Sequence, residues 1–283
     1  MTMTRPLFSG HETFACKSHW MKRGYEFVRE GHNFNDDEAV VHLGVGKNMV
    51  ASIKFWMKAF GLLNRDGILS SIAHKLLNTD RGYDPFFEDI GSLWLMHFNI
   101  VNENYATAYR TTFIDYHSQR NVIDKLKLQN FIKHLCFDNP NYRSLYNENT
   151  VRKDLNVLIH NYCAKWNSGV EDSNTIFAPL NLIRETEDGT YMFNYDSRNI
   201  VPANIFLYAL LAVFPDSKSI SFESMRELSL IFCLMNNDLL TIIKQLSEEY
   251  VGILVFSDVA GIKELQIKGE ISTDKALENY YIG

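Results

Sequence analysis

Two short polar strings in this sequence carry residue types that could do chemistry. The first, FSGHETF at residues 8–14, puts His11 and Glu12 in a glycine-led turn. The zinc motif HExxH begins with the same pair, but Ala15 stands where its second histidine is required, so this motif is excluded. Two interpretations stay open: a polar cluster that touches a phosphate or a metal, and a set of turn and helix-cap residues. We take His11 and Glu12 as candidate catalytic residues.

The second string, DPFFEDIGSLWLMH at residues 84–97, brings three carboxylates within six residues of one another. Asp84, Glu88 and Asp89 could hold Mg²⁺, which proteins bind through one or two carboxylates together with substrate phosphate. The alternative is a helix N-terminus that carries favourable negative charge. Neither PD-(D/E)xK spacing nor an H-N-H pattern accompanies the string. We take Glu88 and Asp89 as candidate catalytic residues and as ligands for Mg²⁺ or Mn²⁺.

The elements around the first string have the order of a winged helix-turn-helix. Apolar spacing predicts a helix over 17–31, a short helix or turn over 36–42, a second helix within 43–63 and a hairpin over 64–72. Short polar and basic side chains near a helix N-terminus suit entry into the major groove of DNA. The residues of the second helix predicted to point outward as DNA contacts are Lys47, Asn48, Ser52 and Lys54.

A second helix-turn-helix-like unit is predicted further along the chain. The basic string KLKLQNFIKHL begins at Lys125, and NENTVRKDLNVLIHNY follows after a polar turn. Asn149 or Thr150 would cap the later helix. Arg152 and Lys153 would face outward on it, as further DNA contacts.

A third unit is predicted over residues 221–268, with two or three helices followed by a hairpin. The strands of this hairpin would be 253–256 and 265–268. The helices carry Asp238, Glu248 and Glu249, which phosphate would repel. We therefore interpret this unit as a protein-interaction or dimerisation module.

The charge of the chain changes sign along its length. The 283 residues include 28 Lys and Arg against 34 Asp and Glu, a net charge of −6, yet residues 1–65 and 117–165 are basic, at +3 and +4. The polar stretch 166–175 is typical of a linker. We predict a mainly α fold with short β-hairpins (α+β), built of tandem winged helix-turn-helix-like units. The predicted domains are 1–116, 117–168 and 169–283.

Composition excludes several classes of protein. Hydrophobic residues make up 46% and charged residues 22%, which are ordinary globular values. The longest apolar run, 205–214, is half the ~20 residues that a membrane-spanning helix needs. No apolar signal region opens the chain, and the four cysteines form no CxxC pair, so we expect a cytoplasmic protein with reduced thiols. The string LGVGKN lacks the spacing of a P-loop, and we expect no nucleotide or organic cofactor.

Taken in order, the strings resemble one conserved-domain family of bacterial genome-defence islands. Each string alone is weakly specific, but together they cover most of the chain. The matching strings are FSGHETF (8–14), W-x-K-x-G-Y (20–25), LGVGKNMV (43–50), ED-x-G-x-LWL-x-H (88–97), T-V-x-x-D-L (150–155) and DVAGIKELQIK (258–268).

This family includes the SspB-like component of single-strand DNA phosphorothioation systems, which is similar to a DNA-nicking subunit. The resemblance implies DNA binding through the N-terminal winged helix and a Mg²⁺-dependent nick, but it implies no catalytic residues. It also implies three protein partners: an ATPase, a PAPS-reductase-like sulfur transferase and a cysteine desulfurase. No membrane partner is expected, and a homodimer stays open.

Two alternatives to a nickase remain. One is a non-catalytic DNA-binding adaptor that recruits the sulfur-transfer proteins, which the lack of a recognisable nuclease motif favours. The other is a transcriptional regulator of the defence operon, which would bind palindromic DNA as a symmetric dimer.

Overall fold

The computed structural model describes residues 6–103, 105–163, 175–196, 200–259 and 261–283. The chain divides into two compact units, 1–193 and 194–283. About 52% of it is helical and its sheets are small and antiparallel, which confirms the mixed, mainly helical class. Residues 166–174 of the expected linker lie outside the described ranges.

The first unit opens with four helices: α1 (Ser18–Arg29), α2 (Ala39–Leu43), α3 (Lys47–Ala59) and α4 (Ser71–Leu77). The predicted helix after the first string is confirmed, and the chain leaves it at Gly31, whose φ is +88°. The expected hairpin over 64–72 is reduced to one antiparallel bridge between Leu63 and Leu69. The reason is that α4 begins at once, because the Ser70 side chain accepts a hydrogen bond from the Ala73 N–H.

The rest of the first unit packs around a helix that is buried along most of its length. Its elements are α5 (Ile90–Asn102), α6 (Thr107–Arg110), a π-helical turn (Thr111–Tyr116), β1 (Val122–Ile123), α7 (Lys125–Asp138), a 3₁₀ turn (Arg143–Leu145), α8 (Glu148–Tyr162), a second 3₁₀ turn (Ala178–Leu180), β2 (Ile183–Glu185) and β3 (Tyr191–Phe193). Trp94 and His97 of α5 are fully buried, and His97 Nδ1 lies 2.7 Å from the Tyr162 hydroxyl of α8.

The segment 117–168, expected to be a domain by itself, is part of this first unit. The physical reason is long-range pairing. The strands form an antiparallel sheet in the order β1-β3-β2, in which Val122 pairs with Met192. A strand pair that joins residues 70 positions apart cannot be separated from either flank without losing its hydrogen bonds.

The second unit contains α9 (Ala203–Val213), β4 (Ser219–Ser221), α10 (Phe222–Ser229), α11 (Asn236–Glu249), β5 (Leu254–Val259), β6 (Ile262–Ile267) and α12 (Thr273–Tyr281). Its antiparallel sheet has the order β4-β6-β5. The predicted hairpin is confirmed, and its strands run three residues closer to the turn than expected. The longest apolar run of the sequence forms α9, which packs against α11 and α12. Among the helices that the structure describes, none combines the length and apolar character needed to cross a bilayer.

Candidate nucleic-acid interface

A tight glycine turn sets the start of α3. Gly44 adopts the left-handed conformation (φ 58°, ψ 36°) and ends α2. Gly46 precedes α3 in an extended conformation and has no side chain to cap the helix. Within the described ranges, the backbone N–H groups of Lys47 and Asn48 have no hydrogen-bond partner. This end of α3 can therefore attract an anion.

The outward face of α3 is basic. Lys47 and Asn48 are exposed, and Lys54 and Lys58 follow Lys47 at helical spacing on one face. Lys54 Nζ donates to Asn35 Oδ1 at 2.7 Å, and Lys58 Nζ donates to a backbone carbonyl oxygen at 2.8 Å. Partial burial and the neighbouring Lys54 ammonium lower the pKa of Lys58. Two cations that repel one another are stabilised by an anion between them.

The structure corrects one predicted contact on α3. Ser52 does not face outward: it is fully buried, and its hydroxyl has no hydrogen-bond partner among the described residues. The reason is helical periodicity, because Trp56 lies one turn later and belongs to the buried face. The accessible predicted contacts on this helix are Lys47, Asn48 and the half-buried Lys54.

The loop that contains the first polar string is strained. Ser9, Glu12 and Thr13 have φ values of 72°, 47° and 65°, in the left-handed region that is costly for residues with a side chain. Gly10 has a φ of 107°, and a Cβ atom there would lie 2.6 Å from a ring carbon of Phe55, so only glycine fits. Such strain persists only where many contacts fix it, and it is concentrated at functional sites.

A buried contact between His11 and Asp154 ties this loop to α8. His11 Nε2 lies 2.9 Å from Asp154 Oδ1, and the Ser9 N–H donates to both carboxylate oxygens. The Thr13 N–H donates to His11 Nδ1 at 3.2 Å, so the ring proton sits on Nε2 and is donated to Asp154. The ring also stacks on Trp56 of α3. Since both ring nitrogens are engaged, His11 is suited to positioning the loop between α3 and α8 rather than to proton transfer.

Helix α8 carries the other two predicted DNA contacts. Its cap is Asn147, whose side chain accepts a hydrogen bond from the Thr150 N–H at 3.0 Å, instead of the predicted Asn149 or Thr150. Arg152 and Lys153 are exposed, as predicted. Arg152 donates to Asn149 Oδ1 at 3.1 Å, whereas the Lys153 ammonium pairs with no residue that the structure describes.

Two of the three carboxylates of the second polar string hold backbone N–H groups at the start of α5. Asp84 is buried and accepts hydrogen bonds from the backbone N–H groups of Glu88 and Asp89 at 2.9 and 3.1 Å. Asp89 in turn accepts from the Gly91 N–H at 2.7 Å. Glu88 is exposed, as is Glu12 of the first string. Within the described ranges, no group of three or more His, Cys, Asp or Glu side chains could hold a metal ion, so Glu88 and Asp89 do not fit a metal site by themselves.

Comparisons with known proteins give the family. The family model described as a protein of unknown function (DUF4007) matches residues 8–281. The chain belongs to this family. No curated protein matches it.

Two crystal structures resemble the chain closely in fold. A magnesium ion-bound SspB has a TM-score of 0.83 and 24% sequence identity, and the match covers 97% of this chain and 87% of that one. A second SspB structure has a TM-score of 0.82 at the same identity and coverage. The resemblance to SspB that the sequence predicts is therefore confirmed for the fold.

Sequence reasoning missed Asp154, the residue that anchors the strained loop of this family member. A signal was present, because Asp154 lies within the apolar stripe formed by Val151, Leu155 and Leu158 on α8. A buried carboxylate needs donors. Its histidine lies 143 residues earlier, and no local pattern could identify it.

Proposed function

We propose that this chain is the DNA-binding component of a bacterial DNA-modification and defence system of the phosphorothioation type. The observation that carries the proposal is the outward face of α3. Three lysines and no acidic residue occupy this helix, it begins at an uncapped glycine turn, and the strained loop braces it from behind. Phosphate contacts from such a face supply most of a protein's general affinity for DNA.

The order of elements supports a DNA-binding role. In the first unit, α2 and α3 are joined by a three-residue turn with two glycines, the connection typical of a helix-turn-helix, and the bridge between Leu63 and Leu69 would be a minimal wing. In the second unit, the succession from α9 to β6 with the sheet order β4-β6-β5 supports a winged-helix assignment. We propose both as winged-helix-like units, of which the first faces DNA.

The system is inferred from the family strings and from the fold shared with SspB. We propose that the chain works beside an ATPase, a PAPS-reductase-like sulfur transferase and a cysteine desulfurase. Within that system we favour the role of an adaptor that holds DNA for the sulfur-transfer proteins, because His11, Asp84 and Asp89 already hold backbone or side-chain partners.

Nicking of one strand is the second candidate, and one observation favours it: the fold is shared with a protein whose crystal structure contains magnesium. Glu12 and Glu88 are exposed carboxylates, and a metal ion could reach each of them. A transcriptional regulator would instead require a symmetric dimer on palindromic DNA.

Fluorescence anisotropy of a labelled 20-base-pair duplex across a salt series tests DNA binding. Three lysine–phosphate contacts predict a log–log slope of about −2.7 for affinity against salt. Lys47→Glu should weaken binding about ten-fold at 0.1 M salt and make the slope less negative by about one unit. The matched control is Arg81→Glu, at an exposed cation on the turn after α4, which should leave both quantities unchanged. A slope near zero for the wild-type chain would contradict the proposal.

Supercoiled plasmid separates the adaptor from the nickase. The chain is incubated with Mg²⁺, with Mn²⁺ and with EDTA. Retention of supercoiled DNA in all three, together with salt-dependent binding, supports the adaptor. Conversion to open circles with metal alone, lost in Glu88→Gln or Glu12→Gln, would establish the nickase.

A further inference from the structure

A small cleft in the first unit lies beside the strained loop. Its volume is about 320 Å³, and it is lined by Thr13 of the loop, by α7 and α8, and by the edge of the sheet. This is the small end of the range for ligand pockets, about 300–1,000 Å³. A cleft of this volume suits one compact group such as a single nucleotide, and it cannot hold a segment of double helix.

The cleft is positively charged. Lys153 of α8 lines it, and its ammonium pairs with no other described residue. Lys125 of α7 donates to Asn156 Oδ1 at 3.2 Å, and its ammonium lies 5.7 Å from the centre of the Tyr191 ring. The lining contains one carboxylate, Glu185, and burial together with its charge raises the pKa of Tyr191. Two ammonium groups against one carboxylate leave an excess of positive charge, which suits a phosphate.

His160 and Cys163 also line the cleft, and neither is arranged for covalent chemistry. His160 lines the cleft, and its buried Nε2 has no hydrogen-bond partner among the described residues. An unpaired buried polar atom in a native protein calls for an explanation such as a ligand. The Cys163 thiol donates to the Ile183 carbonyl, and burial raises its pKa to about 12. It therefore stays protonated, which indicates a binding pocket rather than a nucleophile.

We propose that this cleft receives one unpaired nucleotide of the bound DNA, with its phosphate against Lys125 and Lys153 and its base toward Tyr191 and His160. Enzymes and readers that act on one nucleotide take it out of the stack into a pocket of this kind. The proposal rests on the proposed DNA binding. The cleft and helix α3 share one support. Asp154, next to Lys153 of the cleft, anchors the loop that carries Thr13 and packs behind α3.

The test compares two labelled 20-base-pair duplexes, one fully paired and one with a single unpaired thymidine, by anisotropy with the full-length chain. The chain should bind the bulged duplex about ten-fold more tightly, since an unpaired base costs least to remove from the stack. Lys125→Ala, which removes a phosphate contact, and Tyr191→Leu, which removes the aromatic ring, should each reduce this preference to three-fold or less. Lys127→Ala is the matched control on α7: this exposed lysine pairs with Asp124 and should keep the full preference.

The affinities for the two duplexes decide between the cleft proposal and the proposed function. Equal affinity for the two duplexes, with binding that still depends on Lys47, overturns the cleft proposal and leaves the proposed function intact. A preference that survives Lys125→Ala also overturns it. Absence of binding to both duplexes overturns both proposals. Free thymidine 5′-monophosphate serves as competitor. If it abolishes binding to the bulged duplex at micromolar concentration, the cleft binds a free nucleotide, and the assignment to a nucleotide of a DNA strand is wrong.

Discussion

Helices α3 and α11 each follow a shorter helix, and a β-bridge or a hairpin comes after each of them, but their charges are opposite. α3 carries three lysines and no acid, a net charge of +3, whereas α11 carries one lysine against Asp238, Glu248 and Glu249, a net charge of −2. Their starts also differ. α3 begins at a bare glycine turn, while the Asp238 side chain accepts a hydrogen bond from the Met235 N–H at the start of α11.

A few surface residues can direct two similar orders of helices to different partners. An uncapped, basic helix start attracts phosphate, and a capped, acidic helix repels it. The residues packed against α3 also hold it in place, because the strained loop contacts its buried face and the His11–Asp154 contact fixes that loop. We infer that the first unit binds DNA and that the second binds protein.

The largest difference between the two helices is expected from matched charge reversals. We expect Lys47→Glu to weaken binding to a 20-base-pair duplex about ten-fold at 0.1 M salt, and the double variant Lys47→Glu, Lys54→Glu about 100-fold. Lys244→Glu on α11 changes the net charge equally and should alter the affinity less than two-fold. Anisotropy measures all three. A loss at Lys244 as large as that at Lys47 would assign DNA to the second unit as well.

The contact between His11 and Asp154 should give the next largest effect. His11→Ala removes a donor from a buried carboxylate, so the free energy of unfolding should fall by about 2 kcal/mol. Glu12→Ala, at the exposed neighbour, should change it by less than about 0.5 kcal/mol. Urea denaturation followed by circular dichroism measures both. If His11→Ala kept wild-type stability but lost a metal-dependent nick, His11 would be catalytic after all.

A smaller effect is expected at the cap of α5. Asp89→Ala removes the hydrogen bond to the Gly91 N–H and should cost about 1 kcal/mol of stability. Glu88→Ala, at an exposed side chain, should be close to neutral. Thermal unfolding with and without 5 mM Mg²⁺ measures both. A rise in wild-type Tm with Mg²⁺ that disappears in both variants would restore the predicted metal site.

The thiols should give the smallest effect and sharpen the contrast between the units. Burial raises the pKa of Cys163 in the first unit to about 12 and that of Cys233 in the second well above its usual value. At pH 8 a thiol with this raised pKa is almost entirely protonated, whereas about a quarter of a thiol with an ordinary pKa of 8.5 is thiolate. We expect negligible labelling of either by iodoacetamide in native buffer, measured by peptide mass spectrometry. In a urea series, each thiol then reports the unfolding of its own unit.

Local pattern predicted the helices that matter most for the site. The helical spacing of Trp20 and Tyr25 predicted α1, and that of Val50, Ile53 and Trp56 predicted α3, because an amphipathic face depends only on nearby residues. The hairpin β5–β6 was predicted for the same reason. The sheet β1-β3-β2 was not, since Val122 pairs with Met192 far along the chain and no local pattern encodes that register.

The candidate site also contains residues whose positions follow from local pattern and residues whose positions depend on distant contacts. The exposure of Lys47, Arg152 and Lys153 follows from helical periodicity. The outward position predicted for Ser52 was wrong, although Ser52 lies one turn before Trp56 and the same periodicity puts it on the buried face. The role of His11 could not be predicted, because it depends on Asp154 reaching the loop from a distant helix. The polar string indicated an unusual loop, but only the tertiary contacts distinguish a positioning histidine from a catalytic one.

Hydrogen exchange of the full-length chain with and without duplex DNA, read by mass spectrometry, shows which helix contacts DNA. Peptides over the start of α3 and over α11 are compared in the same sample. We predict that DNA slows exchange of the backbone amides at residues 47–50 and leaves those at 236–240 unchanged. Protection of the start of α11 with none at α3 would contradict the assignment of DNA to the first unit.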